Sequence, residues 1–316
     1  MKSEIEILSI GMALVDSIIR GFDPEPVSAT GYRAESGTLH VGGEAVNEAL
    51  ALSKLGVKTG LLCHLGQDGA GDLIFGALTE AGVDPSLILR DGESPTPVTT
   101  MFVFPDGTRK SITTGAHRYQ FHPEKYAAGF PRNGAILLGS LFRAPFDDPE
   151  VIRSVLERAK ERGNLIFADT KLPNFRFLTL SDIASSLPLT DFITPNEDEA
   201  RYFTQKETPE DMADVFLSFG VKNVVIKLGS KGCFFKNREL SLSLPAHEIR
   251  AVDATGAGDN FIAGLASEIV RGSTLERALR FAGACGAICT TAPGAGTALR
   301  NREQVESFLR ETPLRA

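Results

Sequence analysis

The sequence predicts an α/β domain whose mostly parallel β-sheet is covered by helices on both faces. From residue 134 onward, short apolar runs such as 135–138 and 165–169 alternate with segments of helical periodicity. Strands that are apolar along their whole length are typical of parallel sheets, because helices cover both faces. A small second β-sheet is predicted from two segments that lack this pattern, about 15–40 and 96–115. The latter alternates around the turn pair Asp106-Gly107.

Composition limits the class of protein. The chain has 316 residues, enough for one domain covering 1–316 with the small sheet inserted in it, and its formal net charge is −7. An acidic chain without Lys/Arg clusters argues against a nucleic-acid partner, and no apolar stretch has the length of a membrane span. The four cysteines show no Cys-x-x-Cys spacing, which favours reduced core residues and a cytoplasmic location.

The most informative stretch is 252–264. Two carboxylates, Asp253 and Asp259, flank the glycine-rich turn Gly256-Ala257-Gly258, and a helix is predicted over 260–271. Backbone N–H groups in such a turn, together with the positive end of the helix, form an anion-binding hole. A carboxylate at its rim suits a general base that removes a proton from a hydroxyl. An ordinary glycine-rich loop before a buried helix is the alternative.

This stretch resembles the signature of the ribokinase family of sugar and nucleoside kinases, also called the phosphofructokinase B family. A second motif far away in the sequence, Gly42-Gly43-Glu44-Ala45-Val46-Asn47, is similar to that family's Gly-Gly-x-x-x-Asn signature. The resemblance extends over nearly the whole chain, with the motifs in the family's order. It implies a ribokinase-like three-layer α/β/α sandwich with a mostly parallel central sheet and a small β-sheet lid.

The resemblance implies roles for residues around both motifs. Asp259 is the implied catalytic base, and the backbone of Gly256, Ala257 and Gly258 is the implied anion hole. From the residues alone, Asp16 is equally well explained as a turn-capping residue. Asn47 taken alone is better explained as a packing residue, and Arg109 as a solvated arginine. Substrate binding is nevertheless implied for Asp16, Gly42, Gly43, Glu44, Asn47 and Arg109.

Nucleotide and cation sites are implied in the same way. Mg²⁺ would be held, largely through water, by Asn196 and Glu199. Helix capping explains this pair without a metal, and a simple β-turn explains the glycines at 229 and 232. Oxygens around Asp253, Thr255 and Ala295 imply, as a further option, a K⁺ site. The implied nucleotide contacts are Asn196, Lys227, Gly229, Gly232, Thr255 and Gly258.

Several positions depart from the pattern of ribokinase itself. Leu14 stands where ribokinase has Asn, and Gly139-Ser140-Leu141 where it has Glu. These differences place the chain closer to the fructokinase and 2-keto-3-deoxygluconate kinase branches. Lys227 replaces a common Thr, and Lys171 stands where Asn is commoner. Glu44 inside the glycine turn adds a hydroxyl acceptor and disfavours an anionic group nearby.

The sequence therefore predicts an ATP-dependent kinase that phosphorylates a hydroxyl of a small sugar, fructose-like or keto-sugar-acid-like. It would act with Mg²⁺, and as a homodimer through the β lid. A nucleoside kinase of the same family is the alternative, and Phe102, Phe104 and Tyr119 would line its base pocket. Two hypotheses come from other classes. A dinucleotide-binding reductase is disfavoured because no Gly-x-Gly-x-x-Gly follows the first strand. A catalytically silent sugar-binding regulator is disfavoured because both carboxylates of the glycine-rich motif and the pair Asn196 and Glu199 are present.

Overall fold

A computed structural model of the protein describes residues 5–21, 31–106, 108–115 and 121–315. The strands are β1 (Ile7–Ile10), β2 (Leu14–Arg20), β3 (Ser36–Gly42), β4 (Thr59–Gly66), β5 (Ile88–Asp91), β6 (Val98–Val103), β7 (Arg109–Thr113), β8 (Ala135–Leu141), β9 (Leu165–Thr170), β10 (Phe192–Ile193), β11 (Asn223–Lys227), β12 (Cys233–Lys236) and β13 (Ser241–Leu244). The α-helices are α1 (Glu44–Lys54), α2 (Gly69–Glu80), α3 (Pro149–Glu161), α4 (Glu197–Thr204), α5 (Pro209–Ser218), α6 (Ala257–Val270), α7 (Leu275–Cys289) and α8 (Arg302–Glu311).

Most of the described strands form one large sheet. Its nine strands follow the order β13-β12-β11-β10-β9-β8-β1-β4-β5. Neighbours from β11 to β5 are parallel, whereas β12 and β13 are added antiparallel at one edge. The sheet is therefore mostly parallel, as predicted. The carboxyl ends of its parallel strands lie along one edge, where ligands bind in α/β proteins.

Helices cover both faces of this sheet. In β8, Ile136 and Leu138 pack into a core with residues of α3 and α5, whereas Ala135 and Leu137 pack into a core with residues of α6 and α7. Because successive side chains of a strand point to opposite faces, the two groups of helices lie on opposite sides of the sheet. The predicted three-layer α/β/α sandwich is confirmed. Within the described ranges, none of the helices combines the length and the apolar character needed to cross a membrane.

A second sheet of four strands, hereafter the small sheet, is separate from the large one and has the order β3-β2-β6-β7. β2 pairs antiparallel with β3 and parallel with β6. β6 and β7 form the predicted antiparallel hairpin. Its turn residue Gly107 lies outside the described residues, as do residues 22–30 of the first predicted segment.

The register of the small sheet separates its two faces. Ser17 pairs with Leu39 on one side and with Thr100 on the other, and Thr100 pairs with Ile112. These four side chains therefore share one face, and Leu39 and Ile112 are 63% and 64% exposed there. Asp16 is the neighbour of Ser17 along β2, so its side chain points to the opposite face.

The helix of the glycine-rich motif begins three residues earlier than predicted. α6 starts at Ala257 rather than Asn260, and Gly256 precedes it in the left-handed conformation, with φ 76°. A Cβ atom on Gly256 would lie 2.3 Å from the Cβ of Ala295. The left-handed backbone and this close contact both require glycine. Gly256 thus fixes the start of the helix, and Asp259 becomes part of its first turn.

Gly232→Ala should destabilise the protein more than Gly272→Ala. Both glycines have positive φ, 98° and 78°, which costs an alanine about 1–2 kcal/mol. A Cβ on Gly232 would also lie 1.9 Å from the carbonyl oxygen of Leu244, whereas no atom lies within 4 Å of the corresponding position at Gly272. This overlap should add about 1–3 kcal/mol. Urea denaturation of the two variants measures the difference, and equal losses would contradict it.

Candidate active site

A cavity of about 470 Å³ opens at the carboxyl edge of the large sheet. It is bordered by the ends of β9 and β11, by the starts of α1, α4 and α6, and by β2 of the small sheet. The two glycine motifs, far apart in the sequence, thus meet at one site. The cavity is lined by Leu14, Asp16, Gly43, Glu44, Asn47, Asp169, Thr170, Lys171, Asn196, Glu199, Lys227, Gly229, Ala254, Thr255, Gly256, Ala257, Gly258 and Asp259.

Asp259 joins the two motifs. Its Oδ2 accepts a hydrogen bond of 2.7 Å from Nδ2 of Asn47, a residue 212 positions away in the sequence. The aspartate is only 7% exposed. It lies in the first turn of α6, where the helix dipole places partial positive charge. The hydrogen bond requires that α1 and α6 pack in a fixed mutual orientation.

The surroundings of Asp259 raise its pKa to about 7. Burial is the main cause, because a buried carboxylate loses its hydration. The Glu44 carboxylate raises the pKa further, whereas the Lys171 ammonium and the hydrogen bond from Asn47 lower it. A carboxyl group whose pKa is close to neutrality can both take up and release a proton, which is the property that a general base requires.

The first turn of α6 presents its backbone to the cavity. Gly256, Ala257 and Gly258 all line it. The N–H of Ala257 donates to the carbonyl of Ala254 at 3.2 Å, so this amide is already used by the turn. Other N–H groups of a first helical turn have no partner further back in the helix. The capacity to bind an anion therefore belongs to the N-terminus of α6 as a whole, including its dipole.

Asp16 lines the cavity from β2 and is held over Gly42 of β3. A Cβ on Gly42 would lie 2.3 Å from a carboxylate oxygen of Asp16, so glycine leaves room for this carboxylate. Burial raises the pKa of Asp16, Glu44 raises it further, and His40 lowers it. Next in the chain, Gly43 (φ 97°) precedes α1 and also lines the cavity. This corner offers oxygen acceptors for hydroxyl groups.

Glu44 forms an ion pair with Lys171 inside the cavity, with Oε1 and Nζ 3.1 Å apart. Burial raises the pKa of Glu44, but the charge and hydrogen bond of Lys171, a backbone hydrogen bond and the charge of Arg143 together outweigh burial, so the net shift is downward. Conversely, the Glu44 carboxylate raises the pKa of Lys171. Both side chains are therefore charged at neutral pH.

Lys227 forms a second ion pair, with Asp169. Its Nζ lies 2.6 and 2.9 Å from the two carboxylate oxygens. The hydroxyl of Thr194 donates to the same carboxylate at 3.0 Å. A Cβ on Gly258 would lie 3.0 Å from Nζ of Lys227, so the ammonium lies directly against the first turn of α6. A cation at this point can neutralise an anion that is bound at the helix N-terminus.

Asn196 and Glu199 form a capping box at the start of α4. Oδ1 of Asn196 accepts from the N–H of Glu199 at 2.9 Å, and Oε2 of Glu199 accepts from the N–H of Asn196 at 3.0 Å. The same Oε2 accepts from the hydroxyl of Thr170 at 2.8 Å. Burial, followed by the charge of Asp169, raises the pKa of Glu199. Both residues cap the helix, and both also line the cavity.

Asp253, the first carboxylate of the glycine-rich motif, stabilises the loop before α6. It accepts from the N–H and the hydroxyl of Thr255, at 3.0 and 2.7 Å, and from the N–H of Gly294 at 3.1 Å. Burial raises its pKa, but these hydrogen bonds outweigh burial and the net shift is downward. All of these contacts are within the protein, which assigns Asp253 a structural role in the turn.

A second cavity, of about 280 Å³, adjoins the first along α6. The two cavities share Lys227, Gly229, Ala254, Ala257 and Gly258. The mostly apolar lining of the second cavity suits an apolar or aromatic part of a ligand. Its other lining residues are mostly apolar and include Gly232, Cys233, Leu244, Pro245, Ala246, Ile249, Ala251, Phe261, Leu279, Gly283, Gly286 and Ala287.

A few predicted site residues lie away from both cavities. Gly42 lies against Asp16 and Ala295 lies against Gly256, so both adjoin residues that line the cavity. Asp253 holds the loop that carries Thr255. Arg109 is exposed on β7 and lines neither cavity, although its charge contributes weakly to the lowered pKa of Asp253.

Sequence reasoning missed some polar residues of the site. Asp169 and Thr170 end β9 at the carboxyl edge of the sheet, and this position could have identified them. Glu48 does not line the cavity; it is fully buried on α1 and accepts from the hydroxyl of Ser9 at 2.5 Å. Burial raises its pKa well above the usual range. An acid in a helical stretch of mostly apolar residues was the only signal in the sequence.

Comparison with known proteins agrees with this geometry. Residues 6–302 match the pfkB family carbohydrate kinases. Fructokinase-1 of Oryza sativa subsp. japonica is 27% identical, over 96% of this chain and 97% of its own length. The 2-dehydro-3-deoxygluconokinase of Bacillus subtilis is 28% identical, over 88% of this chain and 91% of its own. The structure of Arabidopsis thaliana ribokinase complexed with ribose and ATP has a TM-score of 0.82 and 26% identity, covering 97% of this chain and 99% of that one.

The chain therefore belongs to the pfkB family of carbohydrate kinases. The similarity covers both glycine motifs and all strands of the large sheet. Its relatives include members of the two branches that Leu14 and Ser140 predicted.

Asp259→Asn should stabilise the fold at neutral pH. The pKa of the buried carboxyl is raised from 3.8 to about 7, so its ionisation opposes folding as the pH rises between these values. An asparagine keeps an acceptor for Asn47 and carries no charge. The gain in free energy of unfolding should be absent near pH 4, grow up to about pH 7 and then level off. Urea titrations across this range measure it, and a gain that does not vary with pH would contradict a buried titrating carboxyl.

Proposed function

We propose that this chain transfers the γ-phosphate of ATP to a hydroxyl of a small sugar, fructose-like or keto-sugar-acid-like, with Asp259 as general base. One observation carries this proposal. Asp259 is a buried carboxyl with a pKa of about 7 at the positive end of α6. It is hydrogen-bonded to Asn47, which belongs to the motif that resembles the family's Gly-Gly-x-x-x-Asn signature. The position supports proton removal from a hydroxyl beside a site for phosphate.

The proposed reaction follows from the residues around Asp259. A sugar held by Asp16, Glu44 and Asn47 presents a hydroxyl to Asp259, which takes its proton. The sugar oxygen then bonds to the γ-phosphorus of ATP while the bond to the β-phosphate oxygen breaks and ADP leaves. The N-terminus of α6 and the Lys227 ammonium stabilise the negative charge on the transferring group. Binding both substrates in adjoining cavities supplies their orientation.

The second cavity supports the nucleotide part of the proposal. Its apolar lining suits the adenine ring and its shared border suits the phosphates, because Lys227, Gly229 and Gly258 face both spaces. Gly232 would contact the nucleotide through its backbone only, because a side chain at this position would overlap Leu244.

Asn196 and Glu199 fit an indirect role toward Mg²⁺. Both line the cavity, but the same oxygen of Glu199 already accepts hydrogen bonds from Asn196 and Thr170. Among the residues that the structure describes, no group of three or more His, Cys, Asp or Glu could hold a metal ion directly. When bound with ATP, Mg²⁺ would neutralise phosphate charge, and these residues would reach it through its water shell.

The oxygens implied for K⁺ are already used by protein donors. The carbonyl of Ala295 accepts from the side chain of Asn260 at 2.8 Å and from the thiol of Cys289 at 3.3 Å. The same thiol is directed to the carbonyl of Thr255 at 3.4 Å. A carbonyl oxygen has two lone pairs, so these contacts leave K⁺ as an option, and no step of the proposed reaction depends on it.

We also propose one kinase domain, with the small sheet as its lid and as the contact of a homodimer. Asp16 on one face of this sheet lines the cavity, while Leu39 and Ile112 expose apolar surface on the opposite face. A lid over the sugar would exclude water and so prevent wasteful ATP hydrolysis.

The alternatives have less support. For a nucleoside kinase, Phe102 would have to approach the cavity, but the register places it on the face of Ser17 and Ile19, opposite to Asp16. Tyr119 lies outside the described residues. The family match disfavours a dinucleotide-binding reductase. A silent sugar-binding protein is disfavoured by the raised pKa of Asp259, which suits a proton acceptor. Assaying ADP release with fructose, ribose, 2-keto-3-deoxygluconate, adenosine and pseudouridine separates these candidates.

Asp259→Asn should lower the turnover number by about 10²–10⁴-fold, the usual contribution of a general base, while sugar affinity stays within a few-fold. The kcat/KM of the wild type should fall about tenfold per pH unit below the pKa of Asp259, which is about 7. Coupled-enzyme measurement of ADP release and calorimetric sugar titration supply both quantities. Asp253→Asn is the matched control. Asp253 contacts only the turn, so the turnover number of this variant should change much less. Near-normal turnover of Asp259→Asn would contradict the assignment.

Leu39→Asp and Ile112→Asp should each convert a dimer into a monomer, because a buried unpaired charge at an apolar interface is strongly unfavourable. Light scattering coupled to size-exclusion chromatography measures the mass. Leu73→Asp is the control, since this residue is also exposed (41%) but lies on α2, outside the small sheet. A wild-type monomer, or dimers of all three variants, would contradict the proposal.

A further inference from the structure

The larger cavity has a marked imbalance of charge. The only ammonium groups among its described lining residues are those of Lys171 and Lys227. Lys227 is already paired with Asp169 against α6. Lys171 is therefore the one described lysine at the sugar end. The carboxylates of the lining are Asp16, Glu44, Asp169, Glu199 and Asp259.

Carboxylates also neutralise Lys171. Glu44 lies 3.1 Å from its Nζ and is the main cause of its raised pKa. The charges of Asp259 and Asp169 act on the ammonium in the same direction. Its side chain nevertheless remains 42% exposed, so it borders the open cavity. This lysine thus faces the ligand space, but its charge is matched by the protein.

The position of Glu44 fixes this arrangement. Glu44 is the first residue of α1, directly after Gly43. A Cβ on Gly43 would lie 2.4 Å from the carbonyl oxygen of Met12, so only glycine allows the start of α1 to approach the β1–β2 connection this closely. The carboxylate is therefore anchored at a helix start that packs tightly on the strand connection. Lys171 follows β9 and reaches Glu44 from the opposite wall.

This arrangement treats sugar hydroxyls and sugar carboxylates differently. A hydroxyl can donate to Glu44 or Asp16 without separating any ion pair. A carboxylate would have to share the Lys171 ammonium with Glu44 or displace it, and in either case would lie among like charges, which is unfavourable. The cavity should therefore prefer ligands that carry hydroxyl groups and no negative charge on the sugar.

We propose that Glu44 is a specificity-determining residue that, by pairing with Lys171, selects an uncharged sugar over a sugar acid. This inference rests on the proposed function and chooses between its two substrate classes. Removing the charge of Glu44 would release Lys171 as a receptor for a carboxylate.

The test compares D-fructose with 2-keto-3-deoxygluconate as acceptors in the wild type and in Glu44→Gln. The wild type should have the higher kcat/KM with fructose. In Glu44→Gln the ratio of the two kcat/KM values should shift toward the acid by about tenfold or more, as expected when a repulsive element is removed. The double variant Glu44→Gln/Lys171→Met should lose this gain, because the released ammonium is then absent. Glu161→Gln is a matched charge control at the end of α3, on the far edge of the sheet, and should leave the ratio unchanged.

Calorimetric titration of both sugars makes the same comparison without turnover. If a sugar binds but no ADP is released, the proposed function is wrong. The inference still holds in that case, provided that the wild type binds fructose more tightly than the acid and that Glu44→Gln reverses or narrows this difference in affinity. A wild type that prefers the acid would overturn the inference. An unchanged ratio in Glu44→Gln would also overturn it, because Glu44 would then be only a hydroxyl ligand for either sugar.

Discussion

The hydrogen bond from Asn47 to Asp259 is the contact on which the site depends. It joins α1, which follows the small sheet, to α6, which borders both cavities. Because the carboxyl group is buried, its ionised form relies on this donor and on the charge of Lys171. The burial that raises the pKa toward neutrality also makes the charged form costly to the fold. Stability and the proposed proton transfer are thus opposed at one residue, as is common at functional sites.

Two lysines make the crowded carboxylates of the cavity tolerable. The charge of Lys171 is neutralised by Glu44 near the proposed sugar site, and the charge of Lys227 is neutralised by Asp169 beside the first turn of α6. Uncompensated carboxylates at this density would take up protons and lose their role as acceptors. In the proposed reaction, phosphate charge would meet the dipole of α6 and an ammonium that a carboxylate already holds in place.

The parts of this structure that depend on local sequence were predictable. The glycine-rich turn at Gly256, where the backbone needs positive φ, predicted that a helix follows, although α6 begins three residues before the predicted start. Continuous apolar runs likewise predicted the three layers. The pairing of Lys171 with Glu44 was not predictable, since it depends on how two distant elements meet. The strand β5 was also missed, because Ile88–Asp91 is short, half-buried and without periodicity.

The small sheet has short connections to the rest of the chain. Three residues separate β1 from β2, and a single residue, Gly43, separates β3 from α1. These two connections contact each other, since any side chain at Gly43 would overlap the carbonyl oxygen of Met12. A rotation of the small sheet relative to the large one involves these two connections, which directly adjoin Leu14 and Glu44 of the cavity, together with the connections before β6 and after β7. In the proposed lid, hinge and sugar contacts would be neighbouring residues, so a mutation at Leu14 or Glu44 would affect both substrate choice and lid movement.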